Sequence, residues 1–127
     1  DSSYLDVNVR NVEELVPQLR SNETLVMYIH GFKENVDYAG PKLVSEAYLK
    51  YTTENIIAID YREIANMSYL SAVSLVDTVG ATVANALDTI VASVVNATDV
   101  HLIGHSLGSQ VAGSVARHTN FRVSRIT

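Results

Sequence analysis

The chain has 127 residues, 47% of them hydrophobic and 18% charged, with no cysteine, no tryptophan and a formal net charge of -5. This composition excludes intrinsic disorder, because there is enough apolar side chain to offset the entropy of ordering the backbone. It also excludes a disulfide framework or thiolate metal site within these residues, and an acidic chain with only nine lysines plus arginines has no electrostatic footprint for nucleic acid.

Before Arg20 the pattern is mixed, and we expect a short early strand over residues 4–9 and a short helix interrupted by Pro17. Three strand-then-helix units follow. In the first, Thr24-Leu25-Val26-Met27-Tyr28-Ile29 is an apolar run of strand length, followed by the loop His30-Gly31-Phe32 and a polar stretch to Gly40. Pro41 suits a first helical position, with Leu43, Val44, Ala47, Tyr48 and Tyr51 spaced along one face.

The second strand, Asn55-Ile56-Ile57-Ala58-Ile59, ends at Asp60 and a loop. The pattern then predicts one long helix from about Leu70 to Val95, with Val73, Val76, Gly80, Val83, Leu87, Ile90 and Val94 on its buried side. Asp77 and Asp88 break its apolar run, so it is not read as a membrane span. The third unit runs from Val100-His101-Leu102-Ile103 through Gly104-His105-Ser106-Leu107-Gly108 into a helix ending near His118. Apolar strands that each lead into a helix predict an α/β architecture with a parallel sheet.

Gly104-x-Ser106-x-Gly108 is the pattern that carries chemistry. A serine at this spacing, after a strand and opening a helix, sits on a tight turn that lifts its hydroxyl clear of the sheet. The flanking glycines are needed because a Cβ there would meet the neighbouring strand or helix. Gly108, Ala112 and Ala116 continue small residues along one helical face, which lets that helix lie close to the sheet. A plain glycine-rich turn or a phosphate-binding helix start is the bland alternative. A nucleophilic serine also needs donors aimed at the oxyanion of its tetrahedral intermediate. The backbone N–H of Leu107 is one candidate, and that of Phe32, in the His30-Gly31-Phe32 loop after the first strand, is the other.

Ile29-His30-Gly31-Phe32, Ile57-Ala58-Ile59-Asp60-Tyr61 and the segment from Val100 through the elbow to Ser109-Gln110-Val111-Ala112-Gly113 resemble the pancreatic-lipase family of animal lipases. The likeness extends from about Thr24 to Thr127. It implies an α/β-hydrolase fold, Ser106 as nucleophile, Phe32 and Leu107 as carriers of the oxyanion-hole amides, and lipid esters such as triacylglycerol or phospholipid as substrates at an interface. It also implies a secreted, extracellular protein. Two departures stand out: Tyr61 where the family commonly has Trp, and Ser109-Gln110 in place of a commoner Ala-His. Neither removes a catalytic atom. The yolk-protein branch of the family has lost the nucleophile, so a retained Ser106 favours the enzymatic branches over a non-catalytic lipid-binding relative. A carboxylesterase of another α/β-hydrolase family is disfavoured by the His-Gly-Phe loop, which replaces a multi-glycine loop.

The triad order of this fold is serine, acid, histidine, yet no acidic residue follows Ser106 and the only later histidine is His118. Twelve residues of helix put His118 roughly 18 Å away along the axis, too far for a base. His105 points elsewhere on the tight turn, His30 and His101 read as structural, and Asp60 reads as a residue that fixes its loop. The chain opens without an initiator Met, and residues 123–127 alternate like a strand and then stop. By resemblance the triad aspartate follows that strand and the histidine lies farther on. We therefore expect residues 1–127 to be the N-terminal portion of one lipase domain, inactive alone. No metal or cofactor is implied. Arg117, Arg122 and Arg125 read as a solvated edge, and Asn22, Asn66 and Asn96 head N-glycosylation acceptor patterns.

Overall fold

The computed structural model describes residues 5–127. Its centre is a four-stranded, wholly parallel sheet made of β1 (Leu25–Ile29), β2 (Asn55–Ile59), β3 (Val100–Gly104) and β4 (Arg125–Ile126), in the order β2-β1-β3-β4. The helices are α1 (Ala39–Tyr51), α2 (Arg62–Ala65), α3 (Tyr69–Ser74), α4 (Val76–Ser93) and α5 (Leu107–His118). This is the α/β fold predicted from the sequence pattern.

The register explains which side chains make the core. Leu25, Asn55 and Val100 lie abreast, as do Met27, Ile57 and Leu102, and side chains alternate between faces along each strand. Leu25, Met27, Ile29, Val100 and Leu102 share one buried cluster with Val79, Val83, Leu87 and Ile90 of α4 and with Leu107, Val111 and Val115 of α5. Val26 and Tyr28 point to the opposite face and are also buried, beneath α1, which packs on β2 and β1. With both faces covered, β1 is buried at every position. By contrast β2 is an edge strand, so Ile56, Ile57 and Ile59 are only partly covered and Ala58 is exposed despite their apolar run.

Several expectations change. No strand forms over residues 5–9. Residue 4 lies outside the described residues, the chain is irregular to Asn8, and a 3-10 helix spans Val9–Glu14 with Asn8 capping it. A second 3-10 turn, Val16–Gln18, carries Pro17 near its start, where a missing N–H leaves no bond unmade. Helix α1 begins two residues before Pro41, which is equally compatible with the first turn. Its covered stripe is Pro41, Val44, Ser45 and Tyr48, at helical spacing, whereas Leu43 and Tyr51 are 67% and 75% exposed. The long helix is two helices. Ser74 Oγ and the Leu75 N–H bond back three residues, to Ser71 O at 2.7 Å and to Ala72 O at 3.1 Å, and this tightening ends α3 before α4 starts. As a result Val73 is exposed and Ala72 is the residue that enters the core. The loop before α3 also contains the single helical turn α2.

Candidate active site

Ser106 occupies the turn between β3 and α5 with φ 58° and ψ -123°. A non-glycine residue at positive φ is strained, at about 1–3 kcal/mol, and persists only where the surroundings enforce it. The enforcement is steric. A Cβ on Gly108 would collide with the carbonyl oxygens of Ile29 and His30, and one on Gly104 would sit 2.6 Å from Ser109 Cα, so β1, β3 and the first turn of α5 meet backbone to backbone. Hydrogen bonds lock the turn: His105 N–H to Ile29 O at 3.1 Å, Gly108 N–H to His105 O at 2.9 Å, and Ser109 N–H and Oγ–H to Ser106 O at 2.9 and 2.6 Å. Ser106 is exposed and heads a 12-residue helix, whose N-terminus favours negative charge.

The loop after β1 lies against this turn. A Cβ on Gly31 would be 2.8 Å from His105 O and 2.9 Å from Ser106 Cβ, so only glycine allows the approach. The two peptide groups flanking Gly31 are pinned almost completely. In the first, His30 O accepts from Tyr61 Oη–H at 2.5 Å and Gly31 N–H donates to Glu34 Oε1 at 2.6 Å. In the second, Gly31 O accepts from His30 Nδ1–H at 3.1 Å and from Glu34 N–H at 3.2 Å. The one polar group of the pair left without an acceptor among the described residues is Phe32 N–H. Because the peptide is planar and trans, holding Gly31 O fixes the direction of that N–H on the opposite side. Leu107 N–H likewise has no acceptor among the described residues.

His30 is fully buried and stacks on Tyr61 with ring centroids 4.3 Å apart. Its Nε2 accepts Tyr61 N–H at 3.1 Å, which with the Nδ1–H bond assigns a neutral tautomer. Asp60 Oδ1 stands 3.5 Å from Nε2 but is bonded to Arg62, which also reaches Asp37. Burial acts to raise the Asp60 carboxyl, and the Arg62 hydrogen bonds and charge outweigh it, holding it below the usual carboxylate range. Asp60 thus fixes the start of α2, which in turn bonds the loop: Lys33 N–H donates to Ala65 O at 2.8 Å and Lys33 Nζ to Asn66 O at 2.7 Å.

Of the remaining histidines, His105 Nδ1 contacts Glu34 Oε1 at 3.0 Å, and His118 Nδ1 donates to Ser114 O at 2.8 Å at the far end of α5. His101 is buried with Nε2 2.8 Å from Thr127 Oγ1, and burial and the nearby Arg125 push its pKa down. Among the described residues none hydrogen-bonds the Ser106 hydroxyl. At the rim, the Phe32 ring meets Tyr69 edge-on at 5.2 Å, beside Leu70, which is 81% exposed. An open cleft of about 590 Å³, lined by Tyr48, Tyr51, His101 and Arg125 among others, lies at the opposite end of the strands and includes none of these loops.

The structure therefore brings Ser106, Phe32 and Leu107 to one place. Sequence reasoning named Tyr61 only within a family segment and passed over Lys33 and Glu34, because bonds spanning 31 to 71 residues tie these side chains to His30, Asn66 and His105.

The family model described as Lipase matches residues 8–127. The chain belongs to the pancreatic-lipase family. Pancreatic triacylglycerol lipase of Equus caballus is 35% identical over an alignment covering 98% of this chain and 29% of that protein. The same enzyme of Sus scrofa is 32% identical over 98% of this chain and 30% of its own length. Lipoprotein lipase of Neovison vison is 34% identical over 84% of this chain and 23% of its length. The chain thus spans less than a third of the length of these curated relatives. Lipase-type ester hydrolysis is the family's activity, and the family fold is the α/β hydrolase, to which the parallel sheet and the strand-turn-helix around Ser106 conform.

Proposed function

We propose that the protein containing these residues is a serine carboxylic ester hydrolase acting on lipid esters. The observation that carries this reading is a strained, exposed Ser106 at a helix N-terminus, beside a loop in which, of the two peptide groups flanking Gly31, the Phe32 N–H alone has no acceptor among the described residues. Ser106 Oγ attacks the ester carbonyl carbon and loses its proton to a base. The C=O electron pair moves to oxygen, and that oxyanion is received by the N–H groups of Phe32 and Leu107. The carbonyl re-forms as the alcohol leaves with the proton. Water then repeats the cycle on the acyl-enzyme, releasing the acid and restoring Ser106. Removing one such donor costs about 10²–10³ in rate, so orientation of the Phe32 peptide matters as much as the nucleophile.

On this reading the base and its acid are supplied from outside these residues; none of the four histidines hydrogen-bonds Ser106 Oγ. Phe32, Tyr69 and Leu70 give the rim an apolar surface suited to an acyl chain. Secretion, with glycans on the exposed Asn22, Asn66 and Asn96, completes the proposal. No described helix is long and apolar enough to cross a membrane.

The test is covalent labelling of the full-length protein by a fluorophosphonate, with turnover of a soluble p-nitrophenyl ester measured alongside. Labelling that disappears in Ser106→Ala, together with a loss of at least about 10³-fold in kcat/KM, is the expected result. With a triad acid and histidine present in the full-length protein, absence of labelling and turnover would instead favour a lipid-binding relative.

A further inference from the structure

We propose that Glu34 is a positioning residue for ester hydrolysis at Ser106, clamping the Gly31–Phe32 peptide to the nucleophile turn through His105. The inference rests on the function proposed above and adds a residue to it.

Glu34 meets Gly31 from both sides. Its main-chain N–H donates to Gly31 O at 3.2 Å, and its Oε1 accepts Gly31 N–H at 2.6 Å. The same oxygen accepts from Nδ1 of His105, the residue immediately before Ser106, at 3.0 Å. One carboxylate oxygen therefore joins the loop after β1 to the turn after β3, two segments with no covalent connection nearer than 71 residues. Bonds to a charged acceptor are about twice as strong as neutral ones. The Glu34 side chain is 22% exposed, while that of His105 faces solvent. The join matters because Phe32 N–H has to point at the oxygen of the carbonyl that Ser106 Oγ attacks. A shift of about 1 Å between donor and nucleophile is enough to lose a large factor in rate. Other bonds fix the loop to Tyr61 and to α2. Among the described side chains, only Glu34 bonds it to the elbow.

Placing a carboxylate here has an electrostatic cost, since it stands near the developing oxyanion. The hydrogen bond from His105 Nδ1–H to Glu34 Oε1 draws off part of that charge.

The experiment uses the full-length protein and a soluble p-nitrophenyl ester, with Ser106→Ala as control. Glu34→Ala is expected to lower kcat about tenfold or more with KM within twofold, because the change misplaces an oxyanion donor and leaves substrate binding as it was. Glu34→Gln keeps an oxygen acceptor for Gly31 N–H and is expected to retain a third or more of the parental kcat. Combining Glu34→Ala with His105→Ala is expected to add less than twofold to the effect of Glu34→Ala alone, since both act through one hydrogen bond. An unchanged kcat in Glu34→Ala, an effect confined to KM, or a Gln variant as impaired as Ala would overturn the proposal. If Glu34→Ala fails to fold, His105→Ala decides, because that side chain is exposed: an unchanged kcat overturns the clamp, and a fall with KM held supports it. Turnover surviving Ser106→Ala would overturn the underlying function. Normal Glu34→Ala beside a dead Ser106→Ala would overturn only the clamp.

Discussion

The turn after β3 and the loop after β1 stand side by side, yet they are held by different means. The turn is fixed by backbone meeting backbone: Gly104 against the first turn of α5 and Gly108 against the end of β1 leave Ser106 one conformation. The loop is fixed by side-chain hydrogen bonds, with Tyr61 reaching in to His30 O, the loop's own Glu34 holding Gly31 N–H and its Lys33 reaching out to the end of α2. Steric constraint is local and all-or-none. A hydrogen-bonded constraint is distributed and can be weakened in steps. On the proposed function, the nucleophile is thus placed by shape and its oxyanion donor by a network.

Substitutions in the two regions should therefore fail differently. The largest effect is expected at the turn. Gly108→Ala has no room to relax, because what it meets is the backbone of Ile29 and His30. It should cost about 3 kcal/mol or more, the upper end for overpacking, seen as a collapse in yield or a large fall in melting temperature. A well-folded, active Gly108→Ala would break the comparison. Tyr61→Phe sits in between. It removes the donor to His30 O while keeping the ring stacked on His30, and leaving a buried carbonyl unpaired costs about 1–3 kcal/mol. In the full-length protein, kcat should fall more than the melting temperature suggests, because the missing bond holds the Phe32 peptide.

The smallest effect is expected from acid. Burial works to raise the Glu34 carboxyl, but its bonds to His105 and Gly31 prevail and hold it below its ordinary 4.5. Asp60 is held below 3.8 by Arg62 in the same balance. A carboxyl with a depressed native pKa binds fewer protons folded than unfolded. Its stabilisation is therefore complete above those ordinary values and is lost as pH falls through the lower native ones. Between about pH 5 and 3, hydrogen-exchange protection of the Gly31 amide should decline before that of Gly108. Equal decline at both would show that the two regions are coupled, and would sharpen the comparison into a single unit.

This division also decides what was legible in the sequence. Gly104-x-Ser106-x-Gly108 announces its own geometry, because a steric requirement is written at the positions that suffer it. The apolar runs of β1 and β3 were legible for the same reason, being buried on both sides. The break at Leu75 was not, since the apolar spacing of residues 70–95 continues across it and the cause lies in Ser74 bonding back to the carbonyl of Ser71. Nor was the exposed side of α1, whose Leu43 and Tyr51 would suit a buried helix face equally well in a different register. Within the site, Phe32 could be singled out by its place after His30-Gly31, but the bond from Glu34 to His105 spans 71 residues and that from Tyr61 to His30 spans 31, and no spacing rule announces either.

The strain at Ser106 has an evolutionary consequence. Glycine would occupy φ 58° freely, relieving about 1–3 kcal/mol that the serine stores. A lineage with no further use for the hydroxyl would gain stability by discarding it, and would have to give that stability back to recover it. On the proposed function, loss of the nucleophile behaves as a ratchet: easy to pass in one direction, uphill in the other. Keeping serine at this position is a continuing expense that only a task for its oxygen offsets.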